Sequence, residues 1–218
     1  MVGTAARRVN STAKASVPPE EGVHTEVTTA VVIGSGLTGL AVVSELNRRG
    51  IESIVLDGLQ HDSQPAHAPV TDAAGLPERA ELLRLLRGYA TGHSLDIRRG
   101  TSAQGVGLLR GSRIPAPVNR AAAKWAVRTP GGLLLADAVV LAGCGRPAVL
   151  KLLRSLGFAA GPALRNALRS AGLYVVGPGE AFPSHTRELV RQAKRAGQEV
   201  AQRGAAFDRF TGGWAGSA

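Results

Sequence analysis

The segment Gly34–Gly39 constrains the fold of this chain more than any other part of its sequence, because it places three glycines at the spacing G-x-G-x-x-G. It follows Ala30–Ile33, a short apolar and β-branched run of the kind found in a parallel strand covered on both faces. Residues 40–49 come next and repeat apolar side chains at helical spacing until Gly50, a usual residue after a helix end. The order predicts a strand, a tight glycine turn and a helix.

A second buried strand is predicted at Ser53–Leu56, and it ends in Asp57. Strand, helix and strand together occupy about 30 residues, which is the length that a βαβ unit requires. Asp57 lies 18 residues beyond Gly39, close to the spacing at which an acidic residue contacts the ribose in dinucleotide-binding units. The combination predicts a dinucleotide site.

Each residue type in this unit has a physical reason. Gly34 permits the tight turn, Gly36 lets the backbone approach a pyrophosphate, and Gly39 lets the helix pack closely on the strand. The free N–H groups and the dipole at the start of the helix favour a phosphate, and Asp57 can accept hydrogen bonds from the ribose. The residues predicted to contact the dinucleotide here are Gly34, Ser35, Gly36, Leu37, Thr38, Gly39 and Asp57. The alternative is a glycine-rich turn without a ligand.

The rest of the chain alternates apolar runs with polar or glycine-rich breaks, as an α/β protein does. Further strands are predicted at residues 95–98, 125–129, 133–135, 138–142 and 173–176, and helices at residues 76–91, 150–156 and 184–203. Pro130-Gly131-Gly132 predicts a β-hairpin between two of these strands. Residues 58–75 are predicted to form a long loop, and residues 100–124 fit no single element.

Composition favours one globular domain without a membrane span. The 218 residues are 44% apolar, yet no run approaches the roughly 18 uncharged apolar residues of a membrane-spanning helix. We predict a single Rossmann-like α/β domain over residues 28–204, with a central parallel sheet, helices and a small β-hairpin layer. Residues 1–27 are predicted to be a disordered lead-in and residues 205–218 a flexible tail. The single cysteine excludes an internal disulfide and favours a cytoplasmic location.

The chain is basic, with 26 Lys and Arg against 16 Asp and Glu and a net charge of +10. The excess is spread along the sequence, and its few aromatic residues are not interleaved with basic blocks as they are in single-strand nucleic-acid sites. We therefore predict no nucleic-acid partner. A solvated arginine-rich surface explains most of the charge, and attraction of an anionic cofactor or partner is the alternative.

Val31–Asp57 resembles the amino-terminal FAD-binding segment of the flavin-containing monooxygenase and pyridine-nucleotide disulfide oxidoreductase superfamily. Residues 136–143 are similar to the second FAD-proximal motif of that superfamily, and residues 172–177 to its late motif, whose loop reaches the flavin ribityl chain. The resemblance implies that Gly143 and Gly177 also contact FAD. It further implies that the last predicted helix points its N-terminus at the isoalloxazine ring.

The chain also departs from that superfamily. Gly143 and Cys144 stand where its members usually have Thr-Gly, and Pro178 stands where many have an aspartate. Both departures are expected to weaken flavin retention. No arginine follows Asp57 closely, and we expect no arginine pocket beside the ribose. Only residues 146–172 separate the second motif from the third, too few for the nicotinamide-binding βαβ domain of two-dinucleotide relatives.

These features favour an FAD-dependent oxidoreductase resembling the flavin monooxygenases, with one dinucleotide site and a small-molecule substrate. NAD(P)H would act as a diffusible reductant, and a second copy or a partner protein would cover the exposed flavin face. Two alternatives remain. One is a non-catalytic dinucleotide-binding or partner-regulating protein, and the other is an NAD(P)-dependent reductase. The sequence identifies no catalytic residue and no metal site.

Five further residues allow two interpretations each. Cys144 could act beside the cofactor, but a free cysteine is commonly a small buried hydrophobe. His185 could contact the flavin or a substrate, and Glu180 could bind a ribityl hydroxyl, although both types of side chain are common on solvated surfaces. His61 and His67 have no partners at metal-ligand spacing.

Overall fold

The computed structural model of the chain describes residues 24–60, 76–109, 125–177 and 186–211. Within these ranges the chain forms a mixed α/β fold with five helices and a mostly parallel, seven-stranded sheet. In chain order the elements are β1 (Thr25–Ile33), α1 (Leu37–Arg48), β2 (Ser53–Leu56), α2 (Leu76–Gly92), β3 (Asp96–Arg98), β4 (Gly105–Leu108), β5 (Trp125–Thr129), β6 (Gly132–Ala142), α3 (Arg146–Ser155), α4 (Leu164–Ala171), β7 (Leu173–Val176) and α5 (Thr186–Thr211). Over the residues described, none of the helices has a stretch apolar and long enough to cross a membrane.

The order of the strands places β1 near the centre of the sheet. That order is β3-β2-β1-β6-β5-β4, and β7 also pairs with β6. The pairs of β3 with β2, β2 with β1, β1 with β6, and β6 with β7 are parallel, whereas β4, β5 and β6 pair in antiparallel fashion. The carboxyl ends of β1, β2, β6 and β7 therefore lie at one edge of the sheet, where open α/β sheets bind their ligands.

Both faces of the sheet are covered, which explains the continuous apolar runs in its central strands. On one face, Val32 and Val140 pack in a cluster with apolar side chains of α1, α2 and α5. On the other face, Val31 and Trp125 pack with apolar side chains of α3 and α4. Trp125 is fully buried, and its indole N–H donates to the carbonyl oxygen of Ala171 at 2.9 Å, which fixes the end of α4 against the sheet.

The predicted strands at residues 53–56, 125–129 and 173–176 are confirmed, and so is the hairpin between β5 and β6. Residues 133–135 and 138–142, predicted as two strands, belong to one strand, β6. The reason is that β1 runs alongside the whole of β6 and pairs with both Ala136 and Ala138. Pairing with this neighbour keeps the backbone extended across the predicted break.

Other boundaries differ from the predictions. β1 begins inside the predicted lead-in, because Thr25–Val27 pair with β6. α5 continues to Thr211, beyond the predicted end at residue 203. α4 and β4 have only eight and four residues, too few for a clear hydrophobic period, and the sequence pattern did not predict them. The predictions for residues 1–23, 61–75, 110–124, 178–185 and 212–218 concern residues outside the described ranges.

Candidate dinucleotide site

Three parallel strands end in glycines that meet at the first turn of α1. β1 is followed by Gly34, β6 by Gly143 and β7 by Gly177. A Cβ placed on Gly143 or Gly177 would lie 3.5 Å from a side-chain atom of Thr38. The N–H of Gly143 also donates to the carbonyl oxygen of Val176 at 2.9 Å. The fold thus brings together residues from all three motifs singled out in the sequence.

Gly34 and Gly39 are required by the packing of the turn itself. Gly34 has a φ of +121°, and a Cβ on it would lie 1.9 Å from the carbonyl oxygen of Ala142 in β6. A Cβ on Gly39 would lie 1.7 Å from the carbonyl oxygen of Gly34. Because neither backbone oxygen can move without shifting a strand or the helix, both positions would need glycine even in a turn that binds nothing.

Gly36 has no such packing requirement. Its φ of −72° and ψ of −169° suit any residue, and a Cβ on it would have no neighbour within 4 Å in the described structure. It is the N-cap residue of α1, where no side chain of a described residue caps the helix and no acidic side chain lies in the first turn. The open face at Gly36 therefore leaves the N–H groups of this turn accessible to an anion.

The other residues of the turn differ in what their side chains do. Leu37 packs against the hydrophobic cluster beneath α1, and Thr38 fills the space between the glycines that follow β6 and β7. The hydroxyl of Ser35 donates to the Oδ1 atom of Asp57 at 2.7 Å. A ligand on this turn would therefore contact mainly the backbone.

Asp57 joins two turns at the edge of the sheet. Besides the Ser35 hydroxyl, its carboxylate accepts a hydrogen bond from the N–H of Gly100, in the turn after β3. The N–H of Asp57 donates to the carbonyl oxygen of Thr101 at 2.9 Å. The side chain is exposed, and each carboxylate oxygen has a lone pair beyond the one used within the protein. Asp57 can therefore hold the β3 turn in place and still accept hydrogen bonds from a ribose.

A cavity of about 400 Å³ opens beside Asp57 and Ser35. Arg87 of α2 and Arg99 of the turn after β3 line it. Neither guanidinium has a hydrogen-bonded or ion-paired partner within the described ranges, so two unpaired cations face one carboxylate here. The cavity thus has two arginines beside Asp57, where the sequence predicted no arginine pocket. Arg99 is distant from Asp57 in sequence, but β3 pairs with β2 and brings the two strand ends together.

The remaining candidates either lie apart from this cavity or fall outside the described ranges. Cys144 is buried, and its thiol donates to the carbonyl oxygen of Ile33 at 3.4 Å, as expected of a small buried side chain. His61, His67, Pro178, Glu180 and His185 all lie outside the described residues. Among the residues described, no group of three or more His, Cys, Asp or Glu side chains is placed to hold a metal ion.

Comparison with known proteins gives no family for this chain. No protein-family model matches it, and no curated protein is significantly similar to it. Among solved structures, a thioredoxin reductase from Gloeobacter violaceus is similar at a TM-score of 0.37 and 21% sequence identity, over 53% of this chain and 34% of that chain. A flavin-containing monooxygenase from Stenotrophomonas maltophilia is similar at a TM-score of 0.36 and 26% sequence identity, over 55% of this chain and 39% of that chain.

A thioredoxin reductase from T. acidophilum is similar at a TM-score of 0.37 and 20% identity, over 53% of this chain and 35% of that chain. In all three cases the match spans little more than a third of the other protein's length. Similarity at this level does not assign the chain to a family.

Proposed function

We propose that this chain binds FAD and acts as an FAD-dependent oxidoreductase of the flavin monooxygenase-like type, with a small-molecule substrate. The observation that carries the proposal is the contrast among the three motif glycines. Contacts within the protein account for Gly34 and Gly39, whereas nothing in the described structure fills the space above Gly36. A turn that binds no ligand needs no glycine at that position, but a turn that holds a pyrophosphate does.

The positions of Gly143 and Gly177 support FAD as the dinucleotide. Both lie against Thr38, so the ends of β6 and β7 adjoin the turn that would hold the pyrophosphate. The first helical turn would bind the phosphates, and Asp57 would orient the adenosine ribose. A bound flavin would supply the redox chemistry, which no side chain of the described site provides.

The absorption spectrum of the purified chain tests the proposal. We expect the protein, after incubation with FAD and removal of the free cofactor, to retain bands close to those of free flavin. A chain that stays colourless and shows no heat of binding on titration with FAD would overturn the proposal.

An NAD(P)-dependent reductase is the second candidate, and a specific observation favours it. Arg87 and Arg99 line the same cavity as Asp57, and arginines in this position accommodate a 2′-phosphate in NADP-binding sites. The carboxylate of Asp57 opposes that phosphate. Tighter binding of NADPH than of FAD by the cofactor-free chain would favour this candidate over the first.

The segment between β6 and β7 bears on the source of electrons. Residues 146–172 form α3 and α4 without a strand, so they do not form a βαβ unit. We propose that NAD(P)H acts as a diffusible reductant and that a second copy or a partner protein covers the flavin. For the isolated monomer, stopped-flow absorbance should show slow reduction by NADPH that does not saturate. Rapid and saturable reduction of a chain that sediments as a monomer would contradict this prediction.

Replacement of Asp57 by alanine should weaken FAD binding by roughly 1.5–3 kcal/mol, or about 10- to 150-fold, since a hydrogen bond to a charged group is lost. Isothermal titration calorimetry measures the loss. The Ser35→Ala variant serves as the control, because it removes one of the protein's own hydrogen bonds to Asp57 and leaves the carboxylate in place. Equal losses in the two variants would mean that Asp57 acts by holding the turns together and not by contacting the ribose.

A further inference from the structure

β7 has one unpaired edge within the described structure. Among the described strands it pairs only with β6, and the N–H groups of Val139 and Gly143 donate to the carbonyl oxygens of Gly172 and Val176. Successive residues of a strand direct their backbone polar groups to opposite sides. The N–H and C=O groups of Val175, one position before Val176, therefore point away from the sheet. In the described ranges nothing accepts from or donates to them.

A groove of about 800 Å³ runs along this edge, and we call it the β7-edge groove. Residues 173–177 form its floor. Apolar side chains of α3 and α4, among them Leu153 and Leu168, line one wall, and Ala196 and Gln192 of α5 line the other. Helices therefore flank this edge on both faces of the sheet, and an added strand would lie between them.

The rim of the β7-edge groove is positive. Arg165 of α4 and Arg195 of α5 line it, and neither has a hydrogen-bonded acceptor within the described residues. The carboxylates on the rim are already engaged. Glu199 binds Arg169 at 2.6 Å, and hydrogen bonds from Arg191 and Gln192 lower the pKa of Glu188. The charge of Arg195 also lowers that pKa. Among the described residues that line the groove, arginines outnumber glutamates, so the rim is positive overall.

We propose that the β7-edge groove binds an extended, acidic segment of another protein, which adds to β7 as a further strand. The backbone of such a segment would pair with the outward N–H and C=O groups of Val175. Its apolar side chains would pack on α3 and α4, and its carboxylates would meet Arg165 and Arg195. A second copy of this chain fits less well, because pairing β7 with β7 would bring two arginine rims together. The proposal is independent of whether the chain binds FAD.

A labelled synthetic peptide, acetyl-Glu-Val-Glu-Val-Glu-Val-amide, serves as the probe, and fluorescence anisotropy with the full chain measures its binding. We expect binding at least about tenfold tighter than that of the same peptide with lysine in place of glutamate, because the rim is positive. Reversal of charge in an Arg165→Glu and Arg195→Glu double variant should remove this preference. Equal binding of the two peptides, or no binding of the acidic one, would overturn the proposal.

The Val175→Pro variant tests the strand pairing. It removes an N–H that makes no bond to β6, a position at which an edge strand tolerates proline. We expect the acidic peptide to bind about tenfold more weakly, whereas a Val175→Thr variant, which keeps the N–H, should bind like the parent. Unchanged binding by the proline variant would overturn the proposal. So would self-association of the parent chain that this substitution abolishes, since a second copy would then occupy the groove.

A second measurement covers the case in which the proline variant unfolds. The parent chain is titrated with the acidic peptide methylated on alternate backbone nitrogens, in both registers. One register should lose binding about tenfold or more, because it blocks the edge that faces β7. Equal binding of both methylated peptides and the unmodified one would exclude strand addition.

Discussion

Replacement of Gly36 by valine is expected to lower the affinity for FAD by roughly 100-fold or more, while destabilising the folded chain by only about 1 kcal/mol, since glycine is preferred over valine at a helix N-cap. A Cβ at this position meets no atom of the described residues within 4 Å, and the backbone angles suit a β-branched residue. The added side chain occupies only the space through which a pyrophosphate would approach the first turn of α1. Calorimetric titration with FAD and thermal melting of the same samples measure the two effects.

The Gly105→Val variant is the matched control for that experiment. Gly105 begins β4, has a negative φ, and a Cβ on it likewise has no neighbour within 4 Å among the described residues. It lies in an antiparallel part of the sheet, away from the glycine turn. We expect it to bind FAD like the parent. Full FAD binding by Gly36→Val would show that the pyrophosphate site lies elsewhere in the chain.

Much of the parallel sheet could be predicted because its signals are local. Ser53–Leu56 and Leu173–Val176 are apolar runs in strands buried by helices, and both form strands with the predicted bounds. The glycine turn is also a local feature, since its backbone path depends on residues that are adjacent in sequence. The resemblance to flavoproteins implied only that Gly143 and Gly177 contact the same cofactor as this turn, and the structure shows that both lie beside Thr38.

The parts that could not be predicted depend on pairing between distant segments. The break expected near Ala136 and Asp137 does not occur, because β1 extends to Thr25 and keeps β6 extended beside it. Arg99 reaches the cavity beside Asp57 only because β3 pairs with β2. The pairing of β3 with β2 cannot be read from the spacing of residues near Asp57. A search for an arginine soon after Asp57 in the sequence could therefore not find Arg99.

The structure distinguishes two reasons for the motif glycines, packing of the turn and binding of a ligand, which the sequence motif alone does not separate. G-x-G-x-x-G is written as one pattern, yet each glycine responds to different surroundings. Gly34 and Gly39 contact each other's backbone and β6, and substitution there should act on folding. In the described part of the chain Gly36 faces open space, and substitution there should act mainly on binding. The two classes of variant therefore distinguish a site for a ligand from a turn that only packs well.

Replacement of Gly39 by alanine is expected to destabilise the folded chain by about 3 kcal/mol or more, and so to lower its melting temperature by roughly 6–12 °C. The new Cβ would lie 1.7 Å from the carbonyl oxygen of Gly34, so α1 would have to move away from β1. That movement would also disturb the packing of α1 on α5, which covers one face of the sheet. Thermal and denaturant unfolding of the purified variant measure the loss.

The Gly88→Ala variant makes the same chemical change in another helix and provides the control for Gly39→Ala. Gly88 lies within α2, and a Cβ on it would have no neighbour within 4 Å in the described structure. Alanine is favoured over glycine inside a helix by about 1 kcal/mol, so this control should be at least as stable as the parent. If Gly39→Ala destabilises the chain and Gly88→Ala does not, the loss of stability comes from the contact between Gly39 and Gly34 and not from helix propensity. If Gly39→Ala were also stabilising, the close approach of α1 to β1 would not be what requires glycine there.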